Sequence, residues 1–234
     1  RSDATYDVVH VWKGQFFRLD EHIDRFFEST KRLRMPCSIE RDELKKILAG
    51  CVKHAGLDDA YVEMIQTRGV SKNFQRDPNP DEFEKGLNVI VSNIRRIPPE
   101  SVDSKIKNYH WLDLISGMFE AYDSNVDSVI LVDEGNNISE GPGFNIFCID
   151  ASGLNTPDKG VLEGVTRQTV LDLAEEIKLP VNLKPISIDM LNDSIEVFAT
   201  STAGGIMPIT KINNQLVGNG TPGKVTRQMH KSYW

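Results

Sequence analysis

Apolar and polar positions alternate over residues 4–19 and recur at helical spacing after them. The alternation is typical of a β-hairpin, and Lys13-Gly14 is the expected turn. Asp20 is predicted to cap the helix that follows, because its short carboxylate can accept the first free backbone N–H groups. The positions that predict this helix are Ile23, Phe26, Phe27, Thr30 and Leu33.

A second helix is predicted to begin after the cap residue Ser38 and to end at Gly56, where a left-handed residue belongs. Residues 60–69 alternate in part and predict a strand. Residues 71–86 are polar and rich in proline, which is typical of a loop or linker. These elements are assigned to a small N-terminal domain that includes the linker, residues 1–86.

Residues 87–234 predict a larger domain in which strands outnumber helices. The order of the elements is mixed and not strictly alternating, which favours a two-domain α+β fold over a doubly wound parallel sheet. Strands are expected at 87–99, 128–133 and 143–150, and helices at 112–122 and 170–177. A strand followed by a loop is expected within 195–209, and a hairpin-like piece at 212–220.

Composition narrows the range of partners. The 234 residues carry a net charge of −7, and the basic residues are scattered, so nucleic acid is not an expected partner. No apolar run has the length needed to span a bilayer, so no membrane partner is expected either. The five histidines lack metal-binding spacing, and no metal site is predicted.

Cysteine usage and the N-terminus bear on location. Three widely spaced cysteines predict neither a disulfide framework nor a zinc site, and a reducing, cytoplasmic setting is the default. The N-terminal residues lack the apolar run of a signal peptide, so none is expected. The chain begins at Arg1 without a methionine, so a further N-terminal segment is expected.

Two lysines in "SKIKNYHW" are candidates for chemistry. Lys107 precedes a predicted helix and three aromatic residues that could desolvate an amine, which would make it a usable nucleophile or base. Lys105 lies two positions earlier and would point to the same face of an extended segment, so alternation does not choose between the two. A solvated charge is the alternative for either lysine.

Three further segments carry candidate groups. In "ISEGPGFNIF", Glu140 is followed by two glycines that would let a planar ligand approach the backbone, and an exposed turn is the alternative. In "LEGVTR", Thr166 lies at the start of a helix, where unpaired N–H groups bind anions. Its alternative role is an N-cap, and the two are compatible. In "TSTAGGIMP", hydroxyls and glycines follow a strand and would form a second phosphate-facing loop, or only a tight turn.

Together these segments meet the needs of pyridoxal phosphate. A lysine would form the Schiff base, and a carboxylate would keep the pyridine nitrogen protonated so that the ring can accept electrons. The two segments rich in N–H groups and hydroxyls would hold the phosphate.

The chain resembles the class IV, fold-type IV pyridoxal-phosphate aminotransferases. The resemblance runs from Tyr6 to Trp234 and is most specific in "IKNYHWLDLISGMFEA", "SEGPGFNI", "GVLEGVTR" and "TSTAGGIMPIT". "TYDVVHVWKGQFFRLDEHI" and "VEMIQTRG" are most similar to fungal-type (R)-selective amine transaminases. The resemblance implies a homodimer.

The resemblance also implies roles for matched residues. Lys107 would be the Schiff-base lysine and the proton shuttle. The cofactor would further contact Arg25, Glu140, Leu162, Val165, Thr166 and Thr202, with Arg25 on the phosphate and Glu140 on the pyridine nitrogen. The substrate pockets would be lined by Tyr6, Val8, Tyr61, Glu63 and Trp111. By default Arg25 is a surface residue, and Tyr6, Val8 and Tyr61 pack in strands.

The chain departs from the family pattern in three places. Pro142 stands where the family usually has a small residue. The family usually carries a longer N-terminal segment, and the region 71–86 is short. In that region Arg76 is a candidate for the arginine that switches between carboxylate and apolar substrates.

The predicted activity is transamination from an (R)-amine donor to a keto acid such as pyruvate. Branched-chain or D-amino-acid transamination is the first alternative. Lyase chemistry of the aminodeoxychorismate type uses much the same residues. A non-catalytic binding or scaffold protein with a decayed site is the alternative from another class, since function lives in sites and not in folds.

Overall fold

The computed structural model of the protein describes residues 3–69 and 80–234. Its backbone contacts divide the chain into two compact units, residues 1–72 and 73–234. The first unit holds the strands and helices β1 (Ala4–Trp12), β2 (Gln15–Phe16), α1 (Leu19–Arg32), α2 (Arg41–Ala55) and β3 (Ala60–Thr67).

The first unit is built on a three-stranded antiparallel sheet of order β2-β1-β3. The predicted hairpin is confirmed, and both residues of its turn have positive φ, Lys13 at 49° and Gly14 at 72°. One face of the sheet is buried against the two helices. Alternate side chains of β1 and β3 point to this face, and most of them are apolar. This core contains Val9, Ile23, Phe26, Leu44, Leu48 and Met64.

The ends of the two helices differ in part from the predictions. The N-cap of α1 is Arg18, in the left-handed conformation, so the prediction of Asp20 was wrong. Asp20 lies inside the first turn, where its negative charge interacts favourably with the positive end of the helix dipole. The N-cap of α2 is Glu40, so the prediction of Ser38 was also wrong. Gly56 ends α2 with φ of 66°, as predicted.

The second unit contains eight strands and five helices among the described residues. Its strands are β4 (Leu87–Arg95), β5 (Ser128–Val132), β6 (Asn145–Asp150), β7 (Gly153–Thr156), β8 (Val181–Leu183), β9 (Glu196–Ser201), β10 (Gly205–Ile212) and β11 (Gln215–Leu216). Its helices are α3 (Pro80–Lys85), α4 (Leu112–Asp123), α5 (Val165–Glu176), α6 (Ile188–Asn192) and α7 (Lys224–Tyr233).

One mixed sheet runs through the second unit in the order β5-β4-β10-β9-β6-β7-β8, with β11 added to β10. The pairs β4–β5, β4–β10 and β7–β8 are parallel and the others antiparallel. Every residue of β5 is buried, which explains its continuous apolar sequence. The mixed pairing confirms the predicted α+β class.

Several short elements were not predicted. Helix α3 lies inside the segment predicted as a loop, and it contacts β10, where the Thr210 hydroxyl donates to the Lys85 carbonyl at 2.8 Å. The strands β7 and β8 and the helices α6 and α7 were also missed. The predicted domain boundary after residue 86 stays a prediction. No helix within the described ranges is long and apolar enough to cross a membrane.

Candidate active site

A cavity of about 390 Å³ lies in the second unit, where four connecting segments meet. They are the segment before α4, the turn before β6, the segment before α5 and the turn after β9. Seven of the predicted site residues line this cavity, namely Lys107, Trp111, Glu140, Leu162, Val165, Thr166 and Thr202.

The two candidate lysines both line the cavity but have different partners. The Lys105 ammonium lies 2.7 Å from Glu163 Oε1, and this hydrogen bond and charge raise the pKa of Lys105. No hydrogen bond or ion pair of the Lys107 ammonium is found among the described residues. Of the two ammonium groups, the Lys105 one therefore has a partner among the described residues, and the choice of Lys107 stays a prediction.

The aromatic residues after Lys107 do not desolvate it. The Tyr109 side chain is 71% exposed, and both His110 and Lys107 are exposed. The expectation of an apolar enclosure for this amine was therefore wrong for the chain by itself. Trp111 is partly buried and reaches the cavity wall.

Glu140 lies buried in the cavity wall, so the alternative of an exposed turn does not apply. Its Oε2 accepts the Leu162 N–H at 3.0 Å and faces the Asn145 amide at 3.5 Å. Its Oε1 accepts from Arg96 Nε at 3.2 Å. Burial raises the pKa of the Glu140 carboxyl, and the bonds from Leu162 and Arg96 oppose that rise.

The glycines after Glu140 have a role different from the predicted one. A Cβ on Gly141 would lie 2.0 Å from the Phe144 ring, so this glycine makes room for a side chain of the protein. Gly141 and Phe144 exchange both backbone hydrogen bonds across Pro142 and Gly143. With proline first and a glycine at φ of 90° second, the turn is of type II, which suits Pro142.

The start of α5 presents free backbone N–H groups to the cavity. Its N-cap is Gly164, so Thr166 is not the cap but a buried residue of the first turn. Val165, the first helical residue, is 81% exposed. A Cβ on Gly164 would lie 2.4 Å from the Asn145 side-chain oxygen, so only glycine fits beside that amide. A helix start of this kind is typical of anion sites, and the phosphate role of Val165 and Thr166 stays a prediction.

The end of β9 supplies hydroxyl groups to the same cavity. Thr200, Ser201 and Thr202 all line it, and Thr202 is exposed in the turn that leads to β10. The Thr200 hydroxyl is buried, and the described residues offer it no hydrogen-bond partner. Thr200 was not predicted, although its place two residues before Thr202 is a usable signal.

The remaining predicted residues lie in the first unit and are described there alone. Arg25 is 66% exposed, and its Nε and Nη2 donate to the buried Asp7 carboxylate at 2.7 and 2.8 Å. The predicted substrate residues share the exposed face of the sheet, on which Val8 pairs with Glu63. They are Tyr6, Val8, Tyr61 and Glu63. Their roles stay predictions, and Arg76 lies outside the described residues.

The cavity fits a flat, phosphorylated pyridine. A buried carboxylate offers lone pairs to a ring nitrogen, and the start of α5 offers N–H groups to a phosphate. The buried Thr200 hydroxyl, for which the described part of the chain supplies no hydrogen-bond partner, indicates a group that is bound from outside the protein.

The family model "Amino-transferase class IV" matches residues 4–212. The chain belongs to the class IV aminotransferases. This membership confirms the predicted family, and with it the prediction of an aminotransferase.

Relatives and solved structures agree with this membership. The D-alanine aminotransferase of Listeria monocytogenes is 28% identical over 249 residues, which cover 99% of this chain and 86% of the relative. The branched-chain-amino-acid aminotransferase-like protein 2 of Arabidopsis thaliana is also 28% identical, and the chain spans 45% of its length.

Among solved structures, a branched-chain amino acid aminotransferase from T.th., complexed with N-(5'-phosphopyridoxyl)-L-glutamate, has a TM-score of 0.62 and 25% identity. The match covers 98% of this chain and 83% of that one. The fold-type IV architecture is thereby confirmed.

Proposed function

We propose that this aminotransferase uses pyridoxal phosphate to move an amino group from an (R)-amine donor to a keto acid such as pyruvate. The cofactor is the one that class IV aminotransferases use, and the prediction of pyridoxal phosphate is confirmed at that level. One observation carries the proposal. A single cavity contains Lys107, the buried Glu140 and the free N-terminus of α5.

Each group of the cavity would hold one part of the cofactor. Glu140 would accept the ring N–H, since the described residues give its Oε2 a single close donor, the Leu162 N–H. The N–H groups of Val165 and Thr166 would bind the phosphate, together with Thr202. Leu162 would lie against the ring. Arg25 is proposed as a further phosphate ligand from the first unit.

Lys107 would have two roles, to attach the cofactor covalently and to transfer a proton. When bound, the cofactor supplies a ring that accepts the electron pair released at the substrate carbon. The Lys107 amine would remove the proton from that carbon and return it at the cofactor carbon C4′. A group held within reach of both atoms performs each transfer without diffusion, which lowers the entropic part of the barrier.

The first unit favours a donor without a carboxylate. On the exposed face of β1 and β3, Glu63 is the one carboxylate among the described residues, and it pairs across the strands with Val8. Tyr6 and Tyr61 on this face are 64% and 82% exposed. If this face lines the substrate pocket, as the resemblance implies, its negative charge would repel an α-carboxylate and its rings would suit an aryl-alkyl amine.

A branched-chain or D-amino-acid donor is the second candidate. The names of the relatives favour it, because they include branched-chain and D-alanine aminotransferases. In that case a cation outside the described residues, for which Arg76 is the candidate, would hold the donor carboxylate.

A donor panel separates these candidates. The purified protein is loaded with pyridoxal phosphate, and the loss of the cofactor's visible band is recorded with each donor. Loss of the band with (R)-1-phenylethylamine and not with its mirror image would support the (R)-amine proposal. Loss only with D-alanine or L-leucine would replace it by the second candidate. No visible band in the loaded protein would contradict both.

The protein is also proposed to act as a homodimer. The resemblance implies it, and the exposed sheet face of the first unit carries large apolar side chains, among them Tyr6, Tyr61 and Ile65. Analytical ultracentrifugation of the loaded protein tests this assembly, and a mass of one chain at micromolar concentration would contradict it.

A further inference from the structure

Three buried charges form a chain that begins in the cavity wall with Glu140 and Arg96 and ends outside it at Asp113. The Arg96 guanidinium donates through Nη1 to Asp113 Oδ2 at 2.6 Å and through Nε to Glu140 Oε1 at 3.2 Å. The side chains of all three are 8–9% exposed. Arg96 therefore has two carboxylates to neutralise, and the shorter bond goes to the one outside the cavity lining.

The Asp113 side chain is held in place by its position in α4 and by two backbone N–H groups. It belongs to the first turn of α4, where a carboxylate is favoured by the helix dipole. Its Oδ1 accepts the Leu114 N–H at 2.8 Å, and its Oδ2 accepts the Ile97 N–H at 2.8 Å. Asp113 thus connects residues 96 and 97, which directly follow β4, to the helix that follows the Lys107 segment.

The net charge of the three side chains is −1 when all are ionised. An uncompensated buried charge is unfavourable, so this site gains stability from one further cation or proton. Arg96 and Glu140 both line the cavity, and Glu140 is the one of the two that can accept a further proton donor. A protonated ring nitrogen would bring the total to zero.

We propose that Asp113 is a positioning residue that sets, through Arg96, how strongly Glu140 holds a proton on the ring nitrogen of bound pyridoxal phosphate. The inference rests on the proposed cofactor and on no particular substrate. Its physical basis is that Asp113 and Glu140 compete for the positive charge of Arg96. While Arg96 is paired with Asp113, its positive charge only partly offsets the negative charge of Glu140. Glu140 can then still stabilise a proton on the ring nitrogen. Without Asp113, Arg96 would neutralise Glu140, and the ring nitrogen would bind its proton more weakly.

The other charges around Glu140 do not replace Asp113. The pKa of the Glu140 carboxyl is raised first by burial, opposed by the Leu162 N–H and by Arg96, and raised further by the charge of Asp113. The remaining charged groups of the cavity wall are Lys105, Lys107 and Glu163, of which the first and last neutralise each other.

The test reads the proton on the ring nitrogen directly. Wild-type and variant proteins are loaded with pyridoxal phosphate labelled with ¹⁵N at the ring, and the ¹⁵N chemical shift is followed against pH. Asp113→Asn removes the charge and retains the shape. Asp113→Ser removes the charge with a smaller side chain, and Asp113→Glu restores it.

The matched control is Glu120→Gln. Glu120 lies in the same helix and also bonds to the end of β4, through the Ser92 hydroxyl at 2.6 Å, but it is not among the residues of the cavity wall. The Asp113→Asn protein is expected to bind the ring proton about tenfold more weakly, since a neighbouring charge shifts a pKa by about one unit or more. The Glu120→Gln protein is expected to titrate like wild type.

Each outcome decides the matter. Weaker proton binding in both neutral variants, with recovery in Asp113→Glu, supports the proposal. A wild-type midpoint in a folded, loaded Asp113→Asn protein overturns it. Failure of both neutral variants to fold would make the role of Asp113 purely structural and would also overturn it. If wild type binds no cofactor, the proposed function has failed, which is a separate result.

Discussion

At the scale of single residues, the two lysines of the cavity wall differ in whether an acidic side chain is paired with them. Lys105 is paired with Glu163, whose hydrogen bond and charge raise the pKa of Lys105, whereas no such partner of Lys107 occurs in the described structure. Replacing Lys107 by alanine is expected to lower the transamination rate by about a thousandfold, because it removes the proton-transferring amine. Borohydride trapping should then find no cofactor on the peptide around residue 107.

The matched control is Lys105→Ala. It also removes one lysine from the cavity wall, but Lys107 is retained, so trapping and most of the activity should persist. Trapping on residue 105 in the Lys107→Ala protein, at the wild-type level, would reverse the assignment.

Asp7 is a second residue whose charge has a measurable consequence. It is buried and accepts hydrogen bonds from Arg25 and His22, and these lower its pKa below the ordinary value of 3.8. A lowered carboxyl pKa stabilises the fold above the unfolded value, and that stabilisation is lost as pH falls through the folded value. Asp7→Asn should therefore lower the free energy of unfolding by about 2 kcal/mol at pH 7, and by less below pH 3.8.

Urea unfolding at several pH values measures this difference. Glu43→Gln changes an exposed carboxylate in the first turn of α2 to the amide, and it should lower the free energy of unfolding by no more than about 0.5 kcal/mol at pH 7, since only the helix dipole favours that charge. A gap between wild type and Asp7→Asn that is the same at about pH 7 and about pH 3 would show that the charge of Asp7 is not the cause.

Part of the site could be predicted from the residues. Glu140 and the start of α5 carry local signals, a carboxylate before glycines and a helix beginning. The choice of Lys107 depended on the family resemblance, because spacing treats both lysines alike. Arg96 and Asp113 were missed, since their contact joins the end of a strand to a helix 17 positions away. Pairing across such a distance leaves no periodic signal.

At the scale of elements, helix α7 depends on a cap from another element. Glu196 of β9 accepts the backbone N–H groups of Val225 and Thr226 at 3.1 and 2.7 Å, and also the Thr226 hydroxyl. A Cβ on Gly223 would lie 2.0 Å from this side chain, so glycine is required beside it. Glu196→Ala is expected to lower the free energy of unfolding by about 1–2 kcal/mol, by loss of the cap.

Chemical denaturation checks this value. Glu175→Ala, in an exposed position of α5, is the control and should change stability by less than about 0.5 kcal/mol. Equal effects of the two substitutions would contradict the capping role.

Long elements were predicted better than short ones. Helices α1 and α2 and strand β1 carry periodic apolar positions, and strand β5 is a continuous apolar run; both are strong signals. Four of the missed elements, α3, α6, β7 and β8, are six residues or shorter, too short to show a period. Helix α7 has ten residues and was missed as well. The predicted caps Asp20 and Ser38 were wrong because other residues, Arg18 and Glu40, have the backbone conformation of a cap.

At the scale of the whole molecule, each unit has its own core. Calorimetry is therefore expected to show two transitions. Val9→Ala, in the core of the first unit, should lower the transition of that unit only. Pyridoxal phosphate at about a hundred times its dissociation constant should raise the transition of the second unit by about 8 °C, because it binds the folded cavity.

The same experiment examines Arg25. If Arg25 binds the phosphate, the cofactor should raise the transition of the first unit as well, and Arg25→Ala should abolish that additional rise. If the cofactor does not change the transition temperature of the first unit, Arg25 is not a phosphate ligand.

The central pairing of the larger sheet has a consequence for the order of folding. Strand β4 lies beside β10, and the Val91 N–H bonds to the Asn213 side chain, 122 residues further along the chain. The pair β1–β3, by contrast, closes within the first 67 residues. During synthesis the first unit can therefore complete its sheet early. Strand β4 must wait on the ribosome, with an open edge, until most of the protein has emerged.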